Sequence, residues 1–413
     1  MKRLLVIGHV WPEPTTTAAG HRMLQLLQWF LDEGTHITFA STASKTSYSF
    51  NLNALNIEEV TIQLNDSGFD AFIEKLDPEV VLFDRFMVEE QFGWRVAEHC
   101  PMAVRILNTE DLHSLREYRE KCFRANKTFQ EEAWLQEEKT KREIASIFRS
   151  DCSLLVSEFE CALLQKAVPG IETLLFHLPL VQNDPLKLEE LQIPSFNERS
   201  HFISYGNGRH SPNVAAFKIL CQDIWPKIVV QLPQAQLHIY GAYLPQQIQE
   251  LHAPKKGIYI QGWAAALDEV IAKAKLVLAP LPFGAGIKGK LLNAMEQGTP
   301  SITTPTGAEG MMSQENWPGA IASSPEEFAQ QAVALYTNQD QWEKAQERGV
   351  LLLNEKYSAS YWKVPFFNTI DRLQKTLMRH RGRNIVGSLL QEQSRAATKY
   401  MAKWIEAKNK PST

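Results

Sequence analysis

The chain has 413 residues, 44% hydrophobic and 22% charged, with 43 Lys and Arg against 47 Asp and Glu for a net charge of −4. These proportions belong to a globular chain of two or three domains and exclude a disordered, collagen-like or disulfide-framework protein. The near-neutral total supplies no global field for nucleic acid or membrane, but the charge is uneven: Asp371 to Thr413 carries ten Lys and Arg and three Asp and Glu, a net of +7 that leaves −11 on the rest.

In chain order, Met1-Lys2-Arg3 leads into only four apolar residues, Leu4 to Ile7. That falls short of the about 7–15 of an export signal, so the segment reads as a first strand. Expected strands follow at residues 3–10, 35–41, 58–64, 79–83, 102–108, 152–157 and 174–178. Several are unbroken runs of Val, Ile and Leu, as in parallel strands covered on both faces. Between the first two, Met23, Leu26, Leu27 and Phe30 form an i, i+3, i+4, i+7 stripe closed by Gly34, which makes a βαβ unit. From Pro179 to Ser200 no period holds, and Asn183-Asp-Pro185 and Pro194 mark a linker. A second strand series is expected at 201–205, 236–240, 258–261, 276–280, 301–304 and 320–323, and the pattern is helical from about Tyr357 onward. The fold class is therefore α/β, with two doubly wound parallel-sheet domains facing across a cleft. The expected divisions are residues 1–190, 201–356 and a C-terminal helical segment 357–413. Cys100, Cys122, Cys152, Cys161 and Cys221 are scattered without a C-x-x-C pair and read as reduced thiols of a cytoplasmic protein.

The segment most informative about chemistry runs from Leu276 to Met311. A strand enters Pro280 and Pro282, then Gly284-Ala-Gly286-Ile-Lys288-Gly-Lys290, then a helix ended by Gly298-Thr-Pro300. A glycine-rich loop feeding a helix N-terminus offers unpaired N–H groups and a positive dipole end, and a lysine adds a full charge: this is an anion site suited to phosphate. The spacing Gly284-x-x-x-x-Gly289-Lys290 also fits a P-loop, but Leu291 stands where Ser or Thr would hold Mg²⁺.

This block, continued through Thr303-Thr-Pro-x-Gly307-Ala-Glu309-Gly310, resembles the donor-site signature of GT-B glycosyltransferases of the family-4 (group 1) type. Tyr205-Gly-Asn-Gly-Arg-His-Ser-Pro-Asn213, Leu237-His-Ile-Tyr-Gly241 and Ile260-Gln-Gly262-Trp263 resemble the earlier strand ends of that family's C-terminal domain. Pro12-x-Pro14 with Gly20-His21-Arg22 resembles its first glycine loop, and Asn108-Thr-Glu-Asp111-Leu-His113-Ser-Leu-Arg116 a cleft motif of bacterial members. The resemblance covers residues 1–360. It implies transfer of a sugar from a nucleotide-sugar to an acceptor hydroxyl, with retention at the anomeric carbon and no metal. Terminal helices are expected to pack back on the N-terminal domain.

By that resemblance Lys288 and Arg209 are expected to stabilise the departing diphosphate, and Asp111 with His113 to orient a sugar or take the acceptor's proton. Donor binding is expected from Gly20, Gly206, Gly208, Gly241, Gly262, Trp263, Gly284, Gly286, Ile287, Lys290, Asn293 and Glu309. His21, Arg22 and Asp84 are expected on the acceptor side. Ala285 and Asn293 occupy positions where the family carries two glutamates, the second of which contacts the ribose; Asn293 can still donate and accept hydrogen bonds without the charge.

No cofactor and no metal are expected; the nucleotide-sugar is a substrate. The acceptor is expected to be a growing cell-surface glycan or its lipid-linked precursor. The basic tail, with Leu389, Leu390, Tyr400, Trp404 and Ile405 in one stripe, offers a peripheral surface for anionic lipid at the inner face of the membrane, and nucleic acid is not an expected partner. Alternative readings are a GT-B protein that binds a nucleotide-sugar without transferring it, a sugar-nucleotide epimerase, and an interaction module built on the tail.

Overall fold

The computed structural model describes residues 2–182, 186–187, 193–311 and 316–409. All thirteen expected runs are strands, with their ends displaced by a few residues. The first sheet contains β1 (Arg3–Gly8), β2 (His36–Ser41), β3 (Glu58–Thr61), β4 (Val80–Asp84), β5 (Val104–Glu110), β6 (Cys152–Leu155) and β7 (Leu175–His177) in the spatial order β3-β2-β1-β4-β5-β6-β7. The second contains β8 (Ser200–Tyr205), β9 (Leu237–Tyr240), β10 (Ile258–Gly262), β11 (Ala274–Ala279), β12 (Ser301–Thr303) and β13 (Gly319–Ile321) in the order β10-β9-β8-β11-β12-β13. Every pairing is parallel. β4 and β11 are buried along their whole length, the physical reason their sequences show no polar alternation.

Apolar clusters lie on both faces of each sheet. A further cluster joins the two domains, bringing Val156 after β6 against Ile287, Leu291 and Tyr357. Residues 183–185 and 188–192 of the expected linker lie outside the described residues.

Helix Ala359–Arg383 leaves the second domain and lays Phe366, Ile370, Leu373 and Leu377 into the first domain's core beside Trp29 and Phe30. Full burial of such side chains is worth roughly 1.5–3 kcal/mol each, which holds the helix there. Arg381 fixes its end, donating to both carboxylate oxygens of Asp151 at 2.7 Å and to the carbonyl of Ala103 at 2.8 Å. Helix Ile385–Asn409 runs against helices Phe86–His99 and Glu138–Arg149, with Lys399 donating to Glu98 at 2.7 Å. The C-terminal helices thus return to the first domain.

In each sheet the strand order reverses beside the first strand of its domain, between β1 and β4 and between β8 and β11. Loops at the carboxyl ends of such neighbouring strands diverge and leave a crevice for ligand. Those of β8 and β11 are Gly206–His210 and Pro280–Lys288, two of the segments singled out in the sequence.

Candidate active site

After β11 the chain turns through Gly284–Lys288 into helix Gly289–Glu296, whose first turn carries no acid. Gly286 has φ +64, and a Cβ there would stand 2.9 Å from the Cβ of Asp111 in the first domain, so this position demands glycine twice over. A Cβ on Gly289 would approach that of Ala18 to 2.6 Å, placing the whole bend on the cleft, pressed against the first domain.

The two lysines are held differently. Lys288 Nζ donates to the carbonyls of Gly286 at 2.6 Å and Ala285 at 3.2 Å. Burial pulls its ammonium below the ordinary lysine range, opposed by the charges of Glu309 and Glu160. Lys290 Nζ donates to Asn213 Oδ1 at 2.7 Å, behind the Gly206 turn, and burial with the neighbouring Lys288 charge pulls it down to about 7. Both ammonium groups are therefore only partly compensated, the state in which an incoming anion gains most.

The loop after β8 is tied to the one after β9. The N–H groups of Gly206 and Gly208 donate to the carbonyls of Tyr240 and Ala242 at 3.1 and 2.9 Å, and that of Gly241 to Gly262 O at 2.8 Å. A Cβ on Gly241 would meet the carbonyl oxygen of Gly206 at 2.1 Å, so only glycine lets these backbones approach. Arg209 is exposed, its guanidinium 3.6 Å from the centre of the Tyr243 ring. Beside it a pocket of about 610 Å³ opens at the ends of β9 and β10, lined by Gly241, Tyr243, Gln261, Gly262 and Trp263 and closed by Tyr48 of the first domain. The Tyr48 ring lies 5.4 Å from both Tyr243 and Trp263.

On the first-domain side the expected residues are mostly engaged with one another. Asp111 forms an ion pair with Arg116 and lies 3.3 Å from His113 Nε2. Although burial works the other way, Arg116 and then His113 hold the Asp111 carboxyl well below the usual range, while burial pulls His113 down to about 3. Asp111 does not cap helix His113–Arg124. Its first N–H groups go instead to a carboxylate that the sequence reading missed, Glu143, which accepts from His113 and Ser114 at 2.9 and 3.0 Å.

Arg22 departs from its expected place at a cleft-facing helix start. It is 2% exposed, donates to Pro179 O at 2.7 Å and Asn108 Oδ1 at 3.3 Å, and braces the first domain from inside. Asp84 is likewise buried and accepts the His9 N–H at 3.3 Å. His21 is exposed, and Gly20 donates its N–H to Thr17 Oγ1 at 3.0 Å to start the same helix. Ile287 faces the apolar cluster between the domains, and Ala285 joins the first domain's core, which accounts for an apolar residue there. Asn293 accepts from the Tyr205 hydroxyl at 3.2 Å and donates to Asp268 at 2.9 Å.

Two further residues missed by sequence reasoning cross the cleft. Arg119 donates to both carboxylate oxygens of Glu309 at 2.6 and 2.9 Å and to the Gly284 carbonyl at 2.9 Å. Glu160, fully buried, accepts from Leu112 N–H at 3.1 Å and from Gly286 N–H at 2.7 Å, and burial with the Asp111 charge pushes it up to about 8. Among the described residues no group of three His, Cys, Asp or Glu side chains could hold a metal ion, and no helix is long and apolar enough to cross a membrane.

Two facing doubly wound parallel-sheet domains, with a glycine–lysine bend at the switch point of the second, make up the GT-B architecture. Residues 202–338, within the second domain, match the family described as Glycosyl transferases group 1. The fold is similar to that of sucrose-phosphate synthase from Thermosynechococcus elongatus (14% identity, TM-score 0.68, covering 90% of this chain and 99% of that one). It is similar too to Anabaena HepE in complex with UDP (11% identity, TM-score 0.63, covering 90% and 100%). A third likeness is to WaaG, a glycosyltransferase involved in lipopolysaccharide biosynthesis (12% identity, TM-score 0.58, covering 86% and 95%). No curated protein matches the chain.

Proposed function

We propose that the protein moves a sugar from a nucleoside-diphosphate sugar to an acceptor hydroxyl, with retention at the anomeric carbon and with cationic side chains in place of a metal. The observation that carries this reading is the bend Gly284–Lys290: glycine backbone, two half-compensated lysines and an acid-free helix start converge at the cleft face of the second domain. As the bond between the anomeric carbon and the diphosphate breaks, the electron pair leaves on the phosphate oxygen. Lys288 exchanges its loop carbonyls for that charge, helped by the helix N-terminus and by Arg209 from the neighbouring loop. The pocket at the ends of β9 and β10 suits the nucleoside, with Trp263 and Tyr243 as aromatic walls. The solved relative with UDP bound makes UDP-sugars the first donors to try.

For the acceptor we infer a cell-surface glycan or its lipid-linked precursor, made on the cytoplasmic face of the membrane. The likeness to WaaG supports this, and so does the tail helix Ile385–Asn409, which leaves Ile385, Leu389, Tyr400, Met401 and Trp404 exposed on a basic segment. Asp111, paired with Arg116, is suited to orienting an acceptor rather than to taking its proton.

A thermal-shift screen against nucleotide-sugars tests the donor. Saturation at 100 times Kd stabilises by about 2.7 kcal/mol, and Lys288→Ala is expected to abolish most of the response to the diphosphate. A mutant that responds like wild type contradicts the assignment. Tail binding is read by co-sedimentation with vesicles containing anionic lipid, and equal binding to neutral vesicles at high salt would contradict an electrostatic contact.

A further inference from the structure

We propose that Arg119, a residue of the first domain, is a positioning residue of the donor site: it crosses the cleft and sets the shape of the Gly284–Lys288 loop and the orientation of Glu309 only when the two domains are closed on each other. This rests on the donor assignment above and extends it to a residue outside the donor-binding domain.

The geometry carries it. One nitrogen of the Arg119 guanidinium donates both to the Gly284 carbonyl at 2.9 Å and to Glu309 at 2.6 Å, and a second donates to the other Glu309 oxygen at 2.9 Å. The planar fork grips the carboxylate with two nitrogens while one of them also reaches the carbonyl, a fixed bidentate geometry that an ammonium does not offer. The guanidinium lies 5.3 Å from the ring centres of both Phe129 and Phe159, so first-domain aromatics fix its direction before it meets the loop. Glu309 in turn is the carboxylate whose charge acts most strongly on Lys288. Arg119 takes both oxygens of that carboxylate and sets where it stands relative to Lys288, while its own charge pushes the Lys288 ammonium down.

A second first-domain contact holds the same loop two residues on. Glu160 accepts the Gly286 N–H at 2.7 Å, and its other oxygen has no hydrogen-bond partner among the described residues. Arg119 thus grips a carbonyl and Glu160 an N–H of one three-residue stretch. Opening the cleft releases both, and with them the loop shape that carries Lys288 to the start of helix Gly289–Glu296.

Three variants of the full chain separate this role from a contribution to stability alone: Arg119→Ala, Arg119→Lys and Glu309→Gln. Hydrogen exchange at the amides of residues 284–290, measured without nucleotide, reads the loop directly. We expect faster exchange there in Arg119→Ala with the rest of the second domain unchanged. UDP-glucose serves as the donor probe. We expect weakening of about tenfold or more in Arg119→Ala, a rise in donor KM larger than the fall in kcat, little recovery in Arg119→Lys, and partial recovery of Arg119→Ala by added guanidinium, which fits the slot between Phe129 and Phe159. Glu309→Gln keeps the Gly284 contact and is expected to weaken donor binding less than Arg119→Ala. Unchanged loop exchange in Arg119→Ala overturns the proposal, and so does wild-type donor affinity in that variant. A uniform loss of protection across the first domain that guanidinium leaves unrepaired assigns Arg119 to stability alone and overturns it too. If wild type itself responds to no nucleotide-sugar, the donor reading fails and this one falls with it.

Discussion

The two faces of the cleft are built on different principles. The second-domain face is spare: glycines at 241, 262, 284 and 286, two lysines short of counter-charge and an open pocket of about 610 Å³. The first-domain face is crowded with ionisable groups, most of them paired with one another. Arg116 holds Asp111, Asn108 Nδ2 donates to Glu110 at 2.7 Å, Arg22 lies inside, and Glu143 closes a helix start. Charge at a cleft is therefore a poor guide to catalysis by itself. What separates the faces is whether a charge already has a partner, because only an incompletely paired ion gains much from a ligand.

If this contrast is right, substitutions on the second-domain face act on the reaction and those on the first-domain face act first on the fold. The largest expected effect is on the second-domain face. Lys288→Ala should lower the transfer rate by ~10²–10³ with the melting temperature little changed, measured as turnover beside a thermal melt. Retained turnover would remove Lys288 from the chemistry. Next comes Arg22→Ala on the first-domain face, which strips the cation from beside Glu110, a carboxyl that burial already pushes up to about 7. It should cost about 3 kcal/mol of stability in denaturant titration, while donor affinity, measured in conditions where the variant is folded, stays within a few-fold of wild type. A loss of transfer to the acceptor without destabilisation would put Arg22 back in the site.

Glu160→Gln sharpens the comparison through pH. The folded-state pKa of Glu160 is raised to about 8, so its stabilising contribution is full below the unfolded carboxyl value and is lost as pH rises through about 8. The glutamine variant keeps an oxygen for Leu112 and Gly286 and cannot ionise. Its melting temperature should therefore fall less than wild type's between pH 6 and about 9, by a degree or two. Identical pH profiles would contradict a buried neutral carboxyl at the seam. The smallest effect is expected for Trp263→Ala, a few-fold weaker nucleotide binding with kcat unchanged, in keeping with an exposed aromatic wall.

Much of this was legible in the sequence, and unevenly. Parallel strands announce themselves as unbroken Val, Ile and Leu runs, so β1, β4, β5 and β11 were plain, and with them both sheets. The glycine–lysine bend was legible because its residue types answer local requirements: Gly286 a positive φ, and Lys288 and Lys290 full charges at an acid-free helix start. Arg119 and Glu160 were not, because their partners lie 165 and 126 positions away in the other domain and nothing local marks them. Ser157-x-x-Glu160 even has the spacing of a capping box, and Ser157 Oγ does accept the Glu160 N–H at 3.4 Å. The glutamate side chain, however, turns away to Leu112 and Gly286. Arg22 misled for the converse reason: a charged residue at a helix start beside the first glycine loop reads as facing the cleft, and only tertiary packing places it against Pro179 O.

The most direct test of the central claim is a crystal structure of the full chain with UDP bound. The account predicts the β-phosphate against the start of helix Gly289–Glu296, within hydrogen-bond reach of Lys288 Nζ, with that nitrogen released from the carbonyls of Ala285 and Gly286. A diphosphate seated away from this bend, with Lys288 still folded onto its own loop, would contradict it.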